Sequence, residues 1–166
     1  MSASMPNRRK WIGLLEHLRR LIGGNPPRIQ VAALPWRQTA EGQVEVLLIT
    51  SRGTGRWVLP KGWIEGQEPL STAAAREAFE EAGVKGRAAQ QELGRYLYQK
   101  KRDQSVPLRC EVAVIPLEVT DESRKWPESK VRTKRWLPAQ EAATLVQEQD
   151  LAELIASFDN PRESAA

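Results

Sequence analysis

Hydrophobic and polar positions along the chain follow two different periods. In the central part, apolar side chains recur at the spacing of one helix face, at Leu70, Ala73, Ala74 and Phe79. This pattern predicts an amphipathic helix from Leu70 to Ala82, because nothing inside the segment would break it. Pro69 suits the first helical turn, and Gly83 suits the left-handed residue that ends a helix.

Shorter segments rich in Val, Leu and Ile predict strands on both sides of this helix. The predicted strands cover residues 28–37, 44–51, 57–60, 87–101, 108–120 and 131–137. Residues 108–120 are apolar on both faces, which indicates an interior strand, and Pro116 predicts a bulge or a missing ladder bond there. Pro138 opens a helical region with expected core positions at Leu145, Leu151, Leu154, Ile155 and Phe158. This order of elements predicts a mixed α/β domain.

Before the first strand, apolar residues recur at helical spacing among basic ones, at Trp11, Leu14, Leu15, Leu18, Leu21 and Ile22. We therefore predict an amphipathic amino-terminal extension over residues 1–26, a domain over residues 27–158 and a loose tail over residues 159–166. The extension could dock on the domain or on a second subunit, so a homodimer is compatible with the sequence. Its basic character also permits a membrane-surface or transit-peptide role, which the pattern favours less.

The composition narrows the class of protein. A chain of 166 residues with 40% hydrophobic and 28% charged residues is typical of one globular domain. Cys110 is the only cysteine, so no disulfide can form within the chain, which favours a reducing, cytoplasmic location. The net charge of +4 suits an anionic small molecule without requiring nucleic acid, and we expect no stable nucleic-acid complex. No apolar run is long enough to span a membrane.

Three carboxylates on the central helix provide the candidate chemistry. Glu77, Glu80 and Glu81 stand at positions i, i+3 and i+4, so their side chains share one face. Like charges at this spacing repel one another and destabilise an isolated helix. The arrangement is explained either by a solvated acidic face or by a cation bound among the carboxylates.

A longer motif surrounds these glutamates. Residues 62–84 read GWIEGQEPLSTAAAREAFEEAGV, with the specified positions Gly62, Glu68, Arg76, Glu77, Glu80, Glu81 and Gly83. The segment resembles the Nudix box, the signature of hydrolases that cleave a nucleoside diphosphate, or a related diphosphate, linked to another group. Seven specified residues at fixed spacing would arise by chance in such a chain on the order of once in a million.

The resemblance implies a fold and a site. It implies the Nudix α/β/α sandwich with a mixed sheet, in which the box forms a loop, a helix and a loop, and it implies a pyrophosphohydrolase that uses Mg²⁺, with Mn²⁺ as an alternative ion. The implied metal ligands are Glu77, Glu80, Glu81 and the main-chain carbonyl of Gly62. By the same resemblance, Arg76 orients the carboxylates, Glu68 pairs with Arg76, and either Glu80 or Glu81 activates water.

The segments outside the box bear on the substrate. Residues 45–69, REAFEEAGVKG and VRTKRWLP resemble the diphosphoinositol polyphosphate phosphohydrolase branch, in which basic residues grip a densely phosphorylated inositol. The positions that this resemblance implies for substrate binding are Arg28, Arg37, Ser51, Arg52, Arg56, Arg109, Lys134 and Arg135. Lys61 stands where that branch usually has glycine. A lysine there resembles the diadenosine polyphosphate hydrolases and would add a positive charge beside the phosphates.

Two further functions stay open from the sequence. Cleavage of a nucleoside triphosphate or an oxidised nucleotide would also fit the box, although no residue outside it points to such a substrate. A catalytically silent Nudix domain that senses a ligand is a different class of function. Such modules typically lose one or more box glutamates, and this chain keeps them all. Trp63 and Trp126 could stack on a base or anchor a loop.

Overall fold

A computed structural model describes residues 27–100 and 108–159 of the chain. The predicted amino-terminal extension over residues 1–26 lies outside the described residues, as do residues 160–166 of the predicted tail. The predictions for those segments therefore stay predictions.

Strands and helices alternate along the described residues in the order expected for a mixed α/β domain. The strands are β1 (Arg28–Gln38), β2 (Val44–Thr50), β3 (Trp57–Val58), β4 (Lys61–Trp63), β5 (Val84–Ala88), β6 (Gly94–Lys100), β7 (Leu108–Glu122) and β8 (Lys134–Pro138). The helices are α1 (Leu70–Ala82), α2 (Ala139–Leu145) and α3 (Gln149–Ala156).

One mixed sheet forms the centre of the molecule. Its main path runs β3-β2-β1-β7-β5, while β4 pairs with β1, β6 with β7 and β8 with β2. The two longest strands, β1 and β7, pair in parallel, and the other pairs are antiparallel. Because β1 and β7 have neighbours on both sides, they form the buried middle of the sheet, as the two-sided apolar pattern predicted.

Each face of the sheet packs against helices. Side chains alternate between the faces of a strand, so Val31 and Ala33 of β1 join the core under α1, whereas Ala32 and Leu34 join the core under α2 and α3. A fully buried leucine such as Leu34 contributes about 1.5–3 kcal/mol relative to an exposed one. The predicted α/β/α layers with a mixed sheet are therefore confirmed.

The predicted single strand over residues 87–101 is wrong. The structure has two strands there, β5 and β6, which pair with different halves of the same edge of β7. Pro116 lies opposite the break between them, and its carbonyl accepts the N–H of Ala89 at 2.8 Å. The missing N–H of Pro116 therefore falls where the ladder is interrupted, while the register shift lies at Lys85 and Gly86.

Two other boundaries differ from the sequence predictions. Residues 61–63 form the short strand β4, which the sequence analysis did not separate from the loop of the box. The last strand begins at Lys134 rather than at Val131, which lies exposed in a turn. Among the described residues, no helix is long and apolar enough to cross a membrane. Cys110 is buried and unpaired.

Candidate active site

Helix α1 positions the box carboxylates against the sheet. Pro69 is the residue immediately before the helix rather than a member of its first turn, and Gly83 ends the helix with φ 68°. The side of α1 that faces the sheet carries four buried alanines, and their small side chains allow close contact between helix and sheet. They are Ala73, Ala74, Ala78 and Ala82. Phe79, which the pattern placed on the apolar side of the helix, is only partly buried, whereas Glu77 is buried. The buried side of the helix therefore includes a carboxylate.

Gly62 and Glu77 are in direct contact. A Cβ atom on Gly62 would overlap the Glu77 carboxylate, so a larger residue at this position would displace that carboxylate. Burial raises the pKa of Glu77, and the hydrogen bond from Arg76 opposes that shift. The structure therefore brings together the main chain of Gly62 and the Glu77 carboxylate, two of the predicted metal ligands.

Arg76 joins the helix to the loop before it. Its guanidinium donates to Glu68 at 2.7 Å, to the Trp63 carbonyl at 3.0 Å and to Glu77 at 2.7 Å. The hydrogen bond from Arg76 lowers the pKa of Glu68, and the same bond is the main cause of the raised pKa of Arg76. Arg76 thus lies where it can orient a box carboxylate, and Glu68 pairs with it across the loop and the helix.

Glu81 is hydrogen-bonded through both of its carboxylate oxygens. One of its oxygens accepts the backbone N–H of Lys61 at 3.0 Å, and the other accepts a hydrogen bond from Arg132. The Arg132 side chain is only 5% exposed, and it also donates to Glu128 and to the Thr50 carbonyl. Burial raises the pKa of Glu81, and the positive charge of Arg132 opposes the rise.

Glu80 differs from its two neighbours because its side chain is 46% exposed. The Arg76 guanidinium lies 3.9 Å from its carboxylate, beyond hydrogen-bond distance. The carbonyl of Glu80 accepts the N–H of Glu128 at 3.1 Å, which brings the loop between β7 and β8 over this end of the helix. Glu80 is thus the box glutamate most accessible to a ligand.

Trp126 fastens that loop to α1. Its indole N–H donates to the Glu81 carbonyl at 3.1 Å, and a Cβ atom on Gly83 would lie 2.7 Å from the indole ring. The Lys134 ammonium lies 4.4 Å from the ring centre. These contacts agree with the interpretation of Trp126 as a loop anchor.

Lys61 points away from α1, toward the other face of the sheet. Its ammonium lies 5.4 Å from the centre of the Tyr98 ring, and the Tyr98 hydroxyl donates to Gln30 at 2.6 Å. Burial lowers the pKa of Lys61, and the negative charge of Glu81 opposes that shift. The lysine therefore extends from the carboxylate side of the site to the partly buried pair of Tyr98 and Gln30 on the opposite face.

Three other predicted substrate contacts lie on the turn between β2 and β3. The Ser51 hydroxyl is hydrogen-bonded within the turn. Arg52 is largely exposed and lies 3.5 Å from Glu128. Arg56 forms a salt bridge with Glu148 at 3.0 Å. The turn thus carries one exposed arginine beside the carboxylates and one arginine already bound to an acidic partner.

Arg37 is not brought to the glutamates. It lies five residues beyond Ala32, the β1 partner of Lys61, a separation of about 17 Å by strand rise. It pairs with Glu45 at 2.8 Å and lies over the Trp136 ring at 4.2 Å. These contacts fix Arg37 on the sheet surface beside β2 and β8.

Lys134 supports the carboxyl end of α1. Its ammonium donates to the Ala82 carbonyl at 3.0 Å and pairs with Glu122 at 3.0 Å. A cation at this end of a helix is favourable, because unpaired carbonyls give it a partial negative charge. Its contacts therefore account for Lys134 without a substrate.

The remaining predicted contacts lie on three different strands, β1, β7 and β8. The Arg28 guanidinium lies 4.4 Å from the centre of the Trp63 ring. Arg109 lies near the beginning of β7, paired with β6. Arg135 is exposed and 3.5 Å from Glu141.

Sequence reasoning missed Arg132 and Glu128 because neither belongs to the box. Glu128 lies in a segment that the sequence predicted only as a charged loop, and Arg132 lies at the start of the predicted strand over residues 131–137, where the structure has a turn and a loop. Glu128 is near enough to Glu77 and Glu81 for its charge to contribute to the raised pKa of each, after burial as the main cause. Spacing along the chain carries no signal for these contacts, since Glu81 and Arg132 are separated by 51 positions.

The oxygen ligands suit a hard divalent cation. Within residues 27–100 and 108–159, no three acidic, histidine or cysteine side chains converge closely enough to hold a metal ion as they stand. Glu77, Glu80 and Glu81 nevertheless lie on one side of α1, with Gly62 against the first of them, and carboxylate and carbonyl oxygens are what magnesium prefers. The residues fit such an ion if Glu77 and Glu81 exchange an arginine contact for it.

The chain is similar in sequence to a known domain family and to several of its members. The NUDIX domain family matches residues 26–158. The chain is 35% identical over 133 residues to Nudix hydrolase 21, chloroplastic, of Arabidopsis thaliana, covering 78% of this chain and 65% of that protein. It is 36% identical over 120 residues to diphosphoinositol polyphosphate phosphohydrolase 3-beta of Bos taurus, covering 71% and 68% of the two chains. The chain therefore spans about two thirds of the length of these relatives.

A solved structure has the same fold at lower identity. The Ap4A hydrolase of C. elegans, in a binary complex, superposes with a TM-score of 0.57 at 21% identity, covering 78% of this chain and 93% of that one. This likeness concerns the arrangement of strands and helices alone.

Proposed function

The chain belongs to the Nudix domain family, as its box predicted, and from that premise we propose that it is a magnesium-dependent hydrolase of phosphoanhydride bonds. Its proposed substrate is a highly phosphorylated small molecule, either a diphosphoinositol polyphosphate or a dinucleoside polyphosphate. Manganese is an alternative ion. We propose no nucleic-acid partner.

The observation that carries this proposal is the burial of two carboxylates beside a third. Glu77 and Glu81 are largely enclosed, and Glu80 lies between them in sequence with its side chain at the surface. Burying carboxylates is unfavourable unless they are paired or coordinate a cation. Arg76 and Arg132 compensate part of that charge, yet burial still raises the pKa of Glu77 and Glu81. A divalent cation would compensate the rest.

The proposed reaction is hydrolysis with simple atom balance. A water oxygen forms a bond to one phosphorus, the bridging P–O bond breaks, and the leaving phosphate keeps the bonding electrons. When bound, the divalent ion supplies neutralisation of phosphate charge and activation of water. Glu80 is the box glutamate with the most accessible carboxylate, whereas both oxygens of Glu81 already accept hydrogen bonds, so we place Glu80 ahead of Glu81 as the proton acceptor.

The chain's own cations bind the phosphates in this proposal. Arg52 lies at the edge of the carboxylate cluster through Glu128, with its guanidinium largely in solvent. Lys61 lies on the other side of β4, over Tyr98. Arginine suits phosphate through its planar fork and lysine through its point charge. These two residues flank the box from opposite faces.

The experiment is a turnover assay of the full chain with and without Mg²⁺. An inositol pyrophosphate, a dinucleoside polyphosphate and a nucleoside triphosphate would each be supplied, with phosphate release or product separation as the measurement. We expect magnesium-dependent turnover of the first or the second. Preferential turnover of the nucleoside triphosphate would replace the proposed substrate class. Binding of these compounds without turnover of any would indicate a ligand-sensing module instead.

Two variants separate the two proposed substrates. Arg52→Ala should raise the KM for an inositol pyrophosphate more than for a dinucleoside polyphosphate, because the former has more phosphates to contact. Lys61→Met should have the opposite preference, since this lysine is the departure toward the dinucleoside branch. Each lost charge-assisted hydrogen bond costs about 1.5–3 kcal/mol, so a tenfold change in KM is the expected scale. Equal losses on both substrates would mean an unselective phosphate-binding surface.

A further inference from the structure

Arg56 is held by the segment that joins α2 to α3. One nitrogen of its guanidinium donates to the Gln147 side-chain oxygen at 3.0 Å and to a carboxylate oxygen of Glu148 at 3.0 Å. The side chains of Arg56 and Glu148 are 27% and 13% exposed, so the pair is partly shielded from solvent. The Coulomb attraction within such a pair is stronger than on the surface, because the shielding lowers the effective dielectric constant.

Glu148 occupies the N-cap position of α3, where a side chain often caps the helix. It is the residue immediately before α3, and its carbonyl accepts the N–H of Ala152 at 2.9 Å. A side-chain oxygen there commonly accepts a hydrogen bond from a free backbone N–H of the first turn, but the Glu148 carboxylate makes no such cap. It turns to Arg56 instead.

The pair lies on the same face of the sheet as the Lys61 side chain. Tyr98, the ring beside Lys61, packs against the core cluster that also contains Val146 and Leu151, which flank Glu148, and Trp57, which follows Arg56, packs against it too. Burial is the main cause that lowers the pKa of Lys61, Arg56 lowers it further, and Glu148 acts in the opposite direction. Burial also raises the pKa of Tyr98, with Glu148 raising it further and Arg56 opposing. Both charges of the pair are therefore close enough to act on the lysine and on the ring that it lies against.

We propose that Glu148 determines substrate specificity by neutralising Arg56, so that this face of the sheet offers phosphates the single positive charge of Lys61 instead of two. This inference rests on the proposed function, since it concerns the number of phosphates that the site can contact. Arg56 has the planar fork suited to phosphate, but a phosphate must displace the Glu148 carboxylate to reach it. The carboxylate also repels a polyanion directly. Both effects weaken the binding of the most densely phosphorylated compounds most strongly.

The test uses equilibrium binding, which does not require turnover. Calorimetry in magnesium-containing buffer at low ionic strength would compare inositol hexakisphosphate with ADP, on the full chain and on Glu148→Gln, which keeps the size of the side chain. We expect the variant to bind inositol hexakisphosphate about fivefold or more tightly, the scale of one released charge-assisted phosphate contact, and ADP by a smaller factor. This gain in affinity for inositol hexakisphosphate should be absent when Arg56 is removed. The Arg56→Ala/Glu148→Gln double variant should therefore bind the compound no more tightly than Arg56→Ala alone.

A matched control removes the same charge elsewhere. Glu92 pairs with Arg95 at 2.9 Å, and Arg95 lies on the opposite face of β6 from Tyr98 because three positions separate them. Glu92→Gln should therefore change the binding of inositol hexakisphosphate less than twofold. If Glu148→Gln does not fold, Glu148→Ser replaces it, since serine caps a helix and still frees Arg56.

Each result bears on the proposal in a definite way. An unchanged or weakened affinity in a folded Glu148 variant would overturn it, and so would an equal gain in the Arg56→Ala background or in Glu92→Gln. Absence of turnover in the wild-type chain would overturn the proposed function alone. The binding cycle would still decide the role of Glu148 in that case.

Discussion

The guanidinium of Arg132 donates to the carboxylate of Glu81, and this contact ties the loop between β7 and β8 to the last turn of α1. Glu128 binds the same guanidinium, so one nearly buried cation lies between two carboxylates. The contact explains how the chain tolerates Glu81 inside the fold before any ligand is bound. Four predictions follow from this arrangement and its surroundings.

Glu80→Gln and Glu81→Gln should each reduce magnesium-dependent turnover by orders of magnitude while leaving the protein folded. Each change removes one charge from a cluster of like charges, and glutamine keeps the size of the side chain. The measurement is kcat at saturating magnesium together with the thermal midpoint of each variant. Near wild-type turnover in either variant would remove that residue from the proposed chemistry.

Arg132→Met should lower the free energy of unfolding by about 2–4 kcal/mol, because it leaves the partly buried carboxylates of Glu81 and Glu128 without their shared partner. Urea denaturation measures this loss. Arg135→Met is the matched control, since Arg135 is exposed and lies 3.5 Å from Glu141. Its cost should stay below about 1 kcal/mol. Similar losses in the two variants would contradict the importance of the Arg132 contacts.

Gly83→Ala should destabilise the protein more than Gly53→Ala. Both glycines have positive φ, 68° and 88°, so both substitutions carry backbone strain. Only at Gly83 does a Cβ atom meet another side chain, the Trp126 ring at 2.7 Å, whereas nothing lies within 4 Å at Gly53. We expect an additional cost of about 1–3 kcal/mol at Gly83 from thermal or urea unfolding. Gly83→Ala in a Trp126→Ala background should lose that additional cost.

The stability of the metal-free protein should depend on pH through Glu77 and Glu81. Burial raises the pKa of both above 4.5, so the folded state holds their protons more tightly than the unfolded state does. Their contribution is fully present below pH 4.5 and is lost as the pH rises through the raised values.

A pH series of urea denaturation in EDTA tests this sign. The free energy of unfolding of Glu77→Gln/Glu81→Gln minus that of the wild type should increase from pH 4.5 upward and then level off. Added magnesium should stabilise the wild type and not the double variant, because a ligand stabilises only the state that binds it. A difference that stays flat with pH would contradict the raised pKa values.

Local periodicity in the sequence was sufficient for the central helix, although it merged β5 and β6 into one predicted strand. The helix from Leu70 to Ala82, its end at Gly83 and the shared face of the three glutamates follow from spacing within a few turns. The interior position of β7 was predicted by the two-sided apolar pattern of residues 108–120, while its parallel pairing with β1 comes from the structure alone. The motif also placed Glu68 beside Arg76, although only the structure supplies their 2.7 Å contact.

Only the tertiary structure decided which charges meet. Arg132 reaches Glu81 because β8 pairs with β2, with Lys134 opposite Ile49, and this register brings the preceding loop over α1. Arg56 and Glu148 lie 92 positions apart. Alternation along a strand determines which face a side chain occupies but not its partner, which depends on the register of strands distant in the chain. For that reason, two basic residues that the sequence predicted alike as substrate contacts have different partners. Arg56 is bound to Glu148, and Lys134 supports the end of α1.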